Sequence, residues 1–288
     1  MNKLSPNNTK AILLLGILSA LLVWFFYSFV GIQGILLALL TSTAMIIGAY
    51  WFSDKLILTL YHAKELHQND KPMLYATVAY LAERAKIPRP QIFLVEENMP
   101  NAFALGRNPE NGVIVVTSGL LDTLNKDELA GVIAHEIAHI LHQDTFLATL
   151  AASVGGIVTL IANQAQALFV FGMGSRNKPG NNKLAVFLMS MFAPMVAIVV
   201  QMTMSIEKEY YADEKAAELC ENAQFVSGAL RKIERSRDYY ELREVEENPS
   251  TAHLFTVNPL RSKKWKLLFT VQPPVGDRIE RLECMMLD

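Results

Sequence analysis

His135-Glu136-Ile137-Ala138-His139 is an H-E-x-x-H motif, set in a run from Lys126 to Asp144 that reads as one helix. Residues four apart lie on one helix face, about one turn or ~5.4 Å apart. His135 and His139 can therefore both aim a ring nitrogen at one zinc ion. Glu136 sits on a neighbouring line of the helix, where it can reach a water at the metal without being a ligand itself. The motif is short enough to arise by chance on an ordinary helix. Its surroundings weigh against chance: Leu129, Ala130, Val132, Ile133, Ala134, Ile137, Ala138, Ile140 and Leu141 make the helix apolar on nearly every side. Such a helix is buried. Buried histidine and glutamate need partners, and a metal supplies one.

Working outward, the run from Ala11 to Phe52 holds no charged residue. A membrane helix needs ~20 apolar residues, so the stretch fits two spans, Ala11–Val30 and Ile35–Phe52, turning at Gly31 to Gly34. A cleaved signal peptide fits poorly, because the apolar run is too long and no small-x-small site ends it. Charges vanish again over Thr145–Ser175 and Leu184–Ile206. These are third and fourth membrane candidates, although Asn163, Gln164 and Gln166 interrupt one and Pro194 the other. Such groups must be satisfied by neighbours or line a wet cavity. The chain thus divides into a membrane hairpin over 1–52, half a catalytic domain over 53–144, a second hairpin over 145–206 and the other half over 207–288. Lys3, Lys10, Lys55 and Lys64 flank the first hairpin and put the soluble parts in the cytoplasm. Arg176, Lys178 and Lys183, between the last two segments, oppose that bias.

The soluble parts read as α+β, mostly helical with a small sheet. Helices are expected over Leu56–His67, Met73–Ala85, Glu207–Leu219, Ala223–Arg235 and Asp277–Met286. Strands are expected at Gln91–Val95 and Val113–Thr117, with a short extended piece at Asn101–Ala104. The 288 residues carry a formal net charge of -2 and 51 % apolar content, with a mean hydropathy of +0.23. Without a charge excess there is no electrostatic case for nucleic acid. Cys220 and Cys284 form no C-x-x-C and read as reduced.

Two histidines leave a zinc site incomplete, since catalytic sites have three protein ligands and one water. A metzincin would need His at position 145 and Gly at 142, where this chain has Thr145 and His142. His142 lies a second turn along the helix and is a lesser candidate ligand. The better source is Ser205-Ile206-Glu207-Lys208-Glu209-Tyr210-Tyr211-Ala212-Asp213. Glu209 and Asp213 share a helix face; one can complete a His₂Glu site and the other can hold a ligand histidine by its second N–H. Spacing alone leaves Glu207, Glu209, Asp213 and Glu214 all open.

The chain resembles the HtpX-type membrane zinc metallopeptidases, relatives of the CAAX prenyl proteases, over almost its whole length. The matching pieces are the N-terminal hydrophobic hairpin, Asn101-Ala102-Phe103-Ala104, the His135–His139 motif with Asp144, and two further hydrophobic segments. Glu209-Tyr210-Tyr211-Ala212-Asp213, His253-Leu254-Phe255 with Asn258-Pro259, and Pro273-Pro274 followed by Arg278-Ile279 complete the set. The resemblance implies a zincin-like catalytic domain joined to about four membrane helices. It implies one zinc ion per chain held by His135, His139 and Glu209, with Asp213 behind a ligand and Glu136 as general base. It also implies a substrate-pairing strand over Asn101, Ala102, Phe103 and Ala104. His253 and Arg278 are candidates for binding substrate or stabilising the oxyanion, or alternatively for a structural role. Three positions depart from the family pattern. His142-Gln143-Asp144 stands for Asn-Gly-Asp, Ser205-Ile206 for Ser-Arg, and Gln272-Pro273-Pro274 for His-Pro-Pro.

The implied activity is hydrolysis of misfolded or damaged membrane proteins and unfolded polypeptides in the bacterial inner membrane. Quality control and stress response are the setting, with other membrane proteases of that system as candidate partners and the oligomeric state left open. Three rivals follow from the same residues. An intramembrane protease would set its motif inside a span, whereas Lys126, Asp127, Glu128 and Asp144 bracket this one. A CAAX-type processing protease would need a larger membrane chamber than four segments give. A transporter or membrane-bound binding protein leaves both halves of the zinc motif to coincidence.

Overall fold

The computed structural model describes residues 31–153, 205–236, 254–257 and 272–285, together with the isolated positions 16, 19, 20, 23, 24, 27 and 239. The proposed first span, the bulk of the third and fourth hydrophobic segments, the acidic stretch after Tyr239 and His253 fall outside these residues, wholly or nearly so.

Helix α1 runs over Ile32–Leu60 and begins after Gly31, whose φ of 74° suits glycine. The hydrophobic segment and the soluble residues beyond it form this one helix, since nothing at Ser53-Asp54-Lys55 breaks it. The expected separate helix over Leu56–His67 is therefore corrected. The backbone turns at Tyr61 and at His62, which has a φ of 49°, and Lys64–Glu65 forms strand β1 against β2. Local helical spacing loses here to pairing with a neighbouring strand. Ile32, Leu36, Leu40, Trp51 and Phe52 of α1 are exposed. Among the described residues no helix is long and apolar enough to cross a membrane; in α1 the side chains at 37, 45, 46 and 49 lie outside the description.

Helix α2 spans Pro72–Ala85, with proline at its start, and strand β2 spans Gln91–Val95. Strand β3, Ala102–Leu105, precedes strand β4, Val113–Thr117. The sheet order is β1-β2-β4-β3. β4 pairs parallel with β2 and antiparallel with β3. Every residue of β4 is buried, so its β-branched run serves two cores at once. Ile114 and Val116 pack toward α2 and the motif helix. Val113 and Val115 pack with Ile57, Tyr61, Phe103, Phe146 and Phe255 on the other face. Among the described residues β3 is an edge strand.

A short helix α3, Ser118–Thr123, leads to the motif helix α4, Lys126–Leu141. The start of α4 is written locally. Asn125 accepts from the N–H groups of Asp127 and Glu128, and Glu128 returns a bond to the Asn125 N–H. Its end falls three residues before the expected Asp144, because Gln143 adopts a φ of 56°. Helices α5, Ile206–Cys220, and α6, Ala223–Ser236, pack on α4, and α7, Val275–Cys284, packs on both of them. Gly131 lets α6 come close: a Cβ there would stand 2.6 Å from the Phe225 backbone.

Candidate active site

Helix α4 carries His135, Glu136 and His139, all facing α5 or the loop at 254–257. The two rings meet with their Nε2 atoms 3.1 Å apart. The first turn of α5 brings Glu209 over them, Oε2 at 3.6 Å from His135 Nε2 and Oε1 at 3.7 Å from His139 Nε2. Each ring is held from behind by its other nitrogen. His135 Nδ1 donates to Asp213 Oδ1 at 2.9 Å. His139 Nδ1 faces both oxygens of Asp144, at 3.2 and 3.3 Å. The left-handed turn at Gln143 is what swings Asp144 back under the helix end. With both Nδ1 atoms turned to carboxylates, both Nε2 atoms point into one space, where loss of the His139 Nε2 proton leaves two lone pairs for a metal.

Arg278, in the first turn of α7, closes the back of the site. Its Nε and Nη2 each donate to Asp213 at 2.7 Å, and its Nη1 donates to the Thr256 carbonyl at 2.8 Å. It is 1 % exposed and absent from the residues that line the cleft. Thr256, buried in the loop, places its hydroxyl 3.2 Å from Glu136 Oε1 and 3.0 Å from the Ala102 carbonyl.

The cleft is lined by Ala104, the two histidines, Glu136, Glu209, Asp144, Thr145 and Thr256, among others. Of the four residues expected to form a substrate strand, Ala104 lines it. Asn101 is buried behind, its carbonyl accepting from Thr117 N–H and its Oδ1 from Thr256 N–H. Phe103 packs against Tyr61 and Phe255, ring centroids 5.5 and 5.7 Å away. Ala102 lies between them with its carbonyl on Thr256. His142 stacks on Tyr211 at 3.7 Å between centroids, outside the cluster. Two residues escaped the sequence reading as site members. Asp144 was only part of a family match, and its grip on His139 depends on a backbone turn. Thr256 belongs to no motif.

The electrostatics ask for positive charge. Glu136, Glu209, Asp213 and Asp144 converge on the two rings, and among the described residues Arg278 is the guanidinium that faces them. Burial alone would lower both histidines. The Asp213 bond, then Glu209, raises His135, and Asp144, then Glu209 and Glu136, holds His139 up at about 10. Burial alone would raise Glu209, yet the His135 ring 3.6 Å away, then Arg278 and His139, holds it down at about 2. For Glu136 burial wins and the carboxyl is pushed up.

A metal ion satisfies the same demand. The Glu209 Oε2 atom is fully buried and accepts no hydrogen bond, the Arg278 Nη1 standing off at 3.5 Å, so a cation that came closer than this guanidinium would satisfy it. The two histidines and Glu209 offer three ligand atoms all within 4.8 Å of one another. Bonds of about 2.0–2.2 Å to a tetrahedral ion put ligand atoms about 3.3 Å apart, close to the separations found here. In the metal-free protein, a proton on His139 stands in for that charge. Metal binding must displace it. Metal affinity is accordingly expected to rise as the pH is raised toward the His139 value of about 10, by about tenfold per unit for each proton released. Calorimetry in two buffers of different ionisation enthalpy measures that release, and a pH-independent affinity with no proton released would contradict it.

The family model described as peptidase family M48 matches residues 68–286. Among curated relatives, a protein named Protease HtpX homolog from Syntrophotalea carbinolica is 39 % identical over 280 residues, covering 97 % of this chain and 99 % of that protein. Protease HtpX from Legionella pneumophila is 40 % identical over 279 residues, with coverage of 97 % and 99 %. Among solved structures, the crystal structure of S. mikatae Ste24p aligns with a TM-score of 0.41 at 17 % identity, over 95 % of this chain and 65 % of that one. With a family model spanning most of its length and relatives matched end to end, the chain belongs to peptidase family M48 and is a metallopeptidase.

Proposed function

We propose that the protein is a membrane-anchored, zinc-dependent endopeptidase that cuts extended segments of misfolded or damaged membrane proteins. The observation that carries the reaction is the convergence of two Nε2 atoms and the bondless Glu209 Oε2 beside the buried carboxyl of Glu136. Two imidazoles and one carboxylate match the donor set of a catalytic zinc site, which keeps a position open. Zinc held there supplies Lewis acidity toward the scissile carbonyl and makes water acidic near neutral pH. Glu136 takes the water proton and delivers it to the leaving amine. Burial raises its pKa, which suits a group that must hold a proton and then give it up. Asp213 and Asp144 keep both rings in the tautomer that leaves Nε2 unprotonated.

Substrate class follows from β3. An edge strand offers backbone groups, so pairing favours an extended polypeptide over a particular sequence. Membrane attachment rests on the uncharged run from Ala11 to Phe52 and on the exposed apolar side chains along α1. The flanking lysines favour a cytoplasmic catalytic part, against the opposing bias of Arg176, Lys178 and Lys183, and quality control at the bacterial inner membrane is the role that fits this reading.

The test is cleavage of casein and of an unfolded membrane-protein segment by detergent-purified full chain, with metal content measured on the same samples. Chelation is expected to abolish cleavage, and stoichiometric zinc to restore it. Well-folded protein that takes up no zinc would overturn the reading.

A further inference from the structure

We propose that Thr256 is a positioning residue whose hydroxyl fixes the register of the substrate strand against the general base. The inference rests on the peptidase reading above and concerns how that cleft is framed.

Strand β3 has a defined parity. Asn101 stands opposite Thr117, and its carbonyl accepts from the Thr117 N–H at 3.0 Å. The register runs on through Ala102↔Val116, Phe103↔Val115, Ala104↔Ile114 and Leu105↔Val113. Hydrogen-bonded and non-bonded pairs alternate in an antiparallel ladder. Phe103 and Leu105 therefore turn their backbone groups toward β4, while Ala102 and Ala104 turn theirs to the edge that no other strand pairs among the described residues. The Ala102 carbonyl is already taken by the Thr256 hydroxyl at 3.0 Å. Just past the other end of the strand, the Gly106 carbonyl is taken by the Thr145 hydroxyl at 2.9 Å. Ala104 lies between the two caps and lines the cleft with His135, Glu136, His139 and Glu209. Among the described residues, Ala104 is the outward-facing residue of the strand whose carbonyl neither hydroxyl takes, in a frame bounded on both sides by threonine hydroxyls.

An extended substrate that pairs at Ala104 cannot slide by two residues toward Ala102 without displacing the Thr256 hydroxyl. That same oxygen stands 3.2 Å from Glu136 Oε1. It carries one proton and donates to one acceptor at a time, but it touches both. One atom thus marks the end of the pairing frame and the place of the carboxyl that serves it. Its own position is secured twice. The Thr256 N–H donates to Asn101 Oδ1 at 3.2 Å, and its carbonyl accepts from Arg278 at 2.8 Å. The side chain is buried, so water does not compete freely for these bonds.

The test compares full-length wild type, Thr256→Val, Thr256→Ser and Thr256→Ala, zinc-loaded in detergent. Metal content, kcat, KM and the positions cut in an unfolded polypeptide are measured by metal analysis, kinetics and mass spectrometry. Thr256→Val, which keeps the shape and loses the hydroxyl, is expected to keep wild-type zinc. Its kcat should fall about tenfold to a hundredfold, as for a reacting group misplaced by a fraction of an ångström, and new cuts should appear displaced from the wild-type positions. Thr256→Ser should restore rate and positions. A valine variant with wild-type kcat and unchanged cuts overturns the proposal. Where valine impairs folding or zinc binding, Ser and Ala decide, since they differ from each other only by the hydroxyl; equal rates and equal cuts for those two overturn it as well. Zinc-loaded wild type that cuts nothing overturns the peptidase reading itself, and the wild-type sample alone reveals that case.

Discussion

Glu136→Gln is expected to lower the rate of peptide-bond hydrolysis by at least about 10²–10⁴-fold, the usual worth of a positioned general base, while zinc stays bound. The two halves of this result have separate causes. Glutamine has the same length and can still accept from the Thr256 hydroxyl, now 3.2 Å from Glu136 Oε1. The cleft keeps its shape. What disappears is a group able to take a proton from water, and nothing nearby replaces it. Asp213 is spent on His135 and Arg278, and Asp144 on His139. Glu209 is held ionised at about 2 and belongs to the ligand set. Because Glu136 contributes no ligand atom, metal content should match wild type, and so should thermal stability within experimental error. Metal analysis and single-turnover cleavage on one preparation check both halves. Glu209→Ala gives the contrast, with metal and activity lost together. A Glu136→Gln enzyme that still cleaves at near the wild-type rate would remove Glu136 from the chemistry.

The difference in how readily these residues can be read from sequence has physical causes. His135, Glu136 and His139 lie within five residues on one helix, and a helix converts spacing directly into geometry. The apolar ring around them also announced burial correctly. Glu209 is another matter: four acidic residues crowd Glu207 to Glu214, and only the way α5 crosses α4 selects one of them. The resemblance supplied that choice, and the structure brings Glu209 onto both Nε2 atoms. Asp144 depends on a left-handed backbone at Gln143, which no periodicity signals. Thr256 reaches Glu136 across 120 residues of chain, and a lone threonine in a loop has no pattern to read. In the sheet, β4 is legible because a fully buried strand is a run of branched apolar residues, and β2 because a short apolar run follows the break at Pro88 and Pro90. β1 was not, since two residues paired to a neighbour carry no period of their own.

Arg278→Leu is the second large effect, expected in stability and metal binding before catalysis. Arg278 is a buried cation facing buried anions: two 2.7 Å bonds to Asp213, one to the Thr256 carbonyl, and Nη1 3.5 Å from Glu209 Oε2. It lies away from the lining of the cleft, so a loss of rate would come through others. Exchanging a whole buried pair for apolar residues can be neutral, but removing one partner leaves the other charge uncompensated, at a cost of about 3–5 kcal/mol. In a protein of this size that corresponds to roughly 10 °C in Tm. The damage is directional as well. Asp213, which the guanidinium now holds well below the usual carboxylate range once burial is overcome, would take up a proton more easily, and a protonated Asp213 no longer accepts from His135 Nδ1 with the same strength. The tautomer that presents Nε2 to the metal is then less favoured, so zinc affinity should fall about 10–100-fold, as when the partner behind a ligand histidine is lost. Arg278→Lys restores a charge without the two-pronged fit and should recover part of the stability and little of the affinity. Adding Asp213→Asn to Arg278→Leu removes the orphaned anion, and the double variant should be more stable than Arg278→Leu alone while binding zinc no better. Thermal melts and zinc titrations of the four proteins separate these terms. A double variant no more stable than Arg278→Leu would mean that the guanidinium acts through the Thr256 loop and not through Asp213.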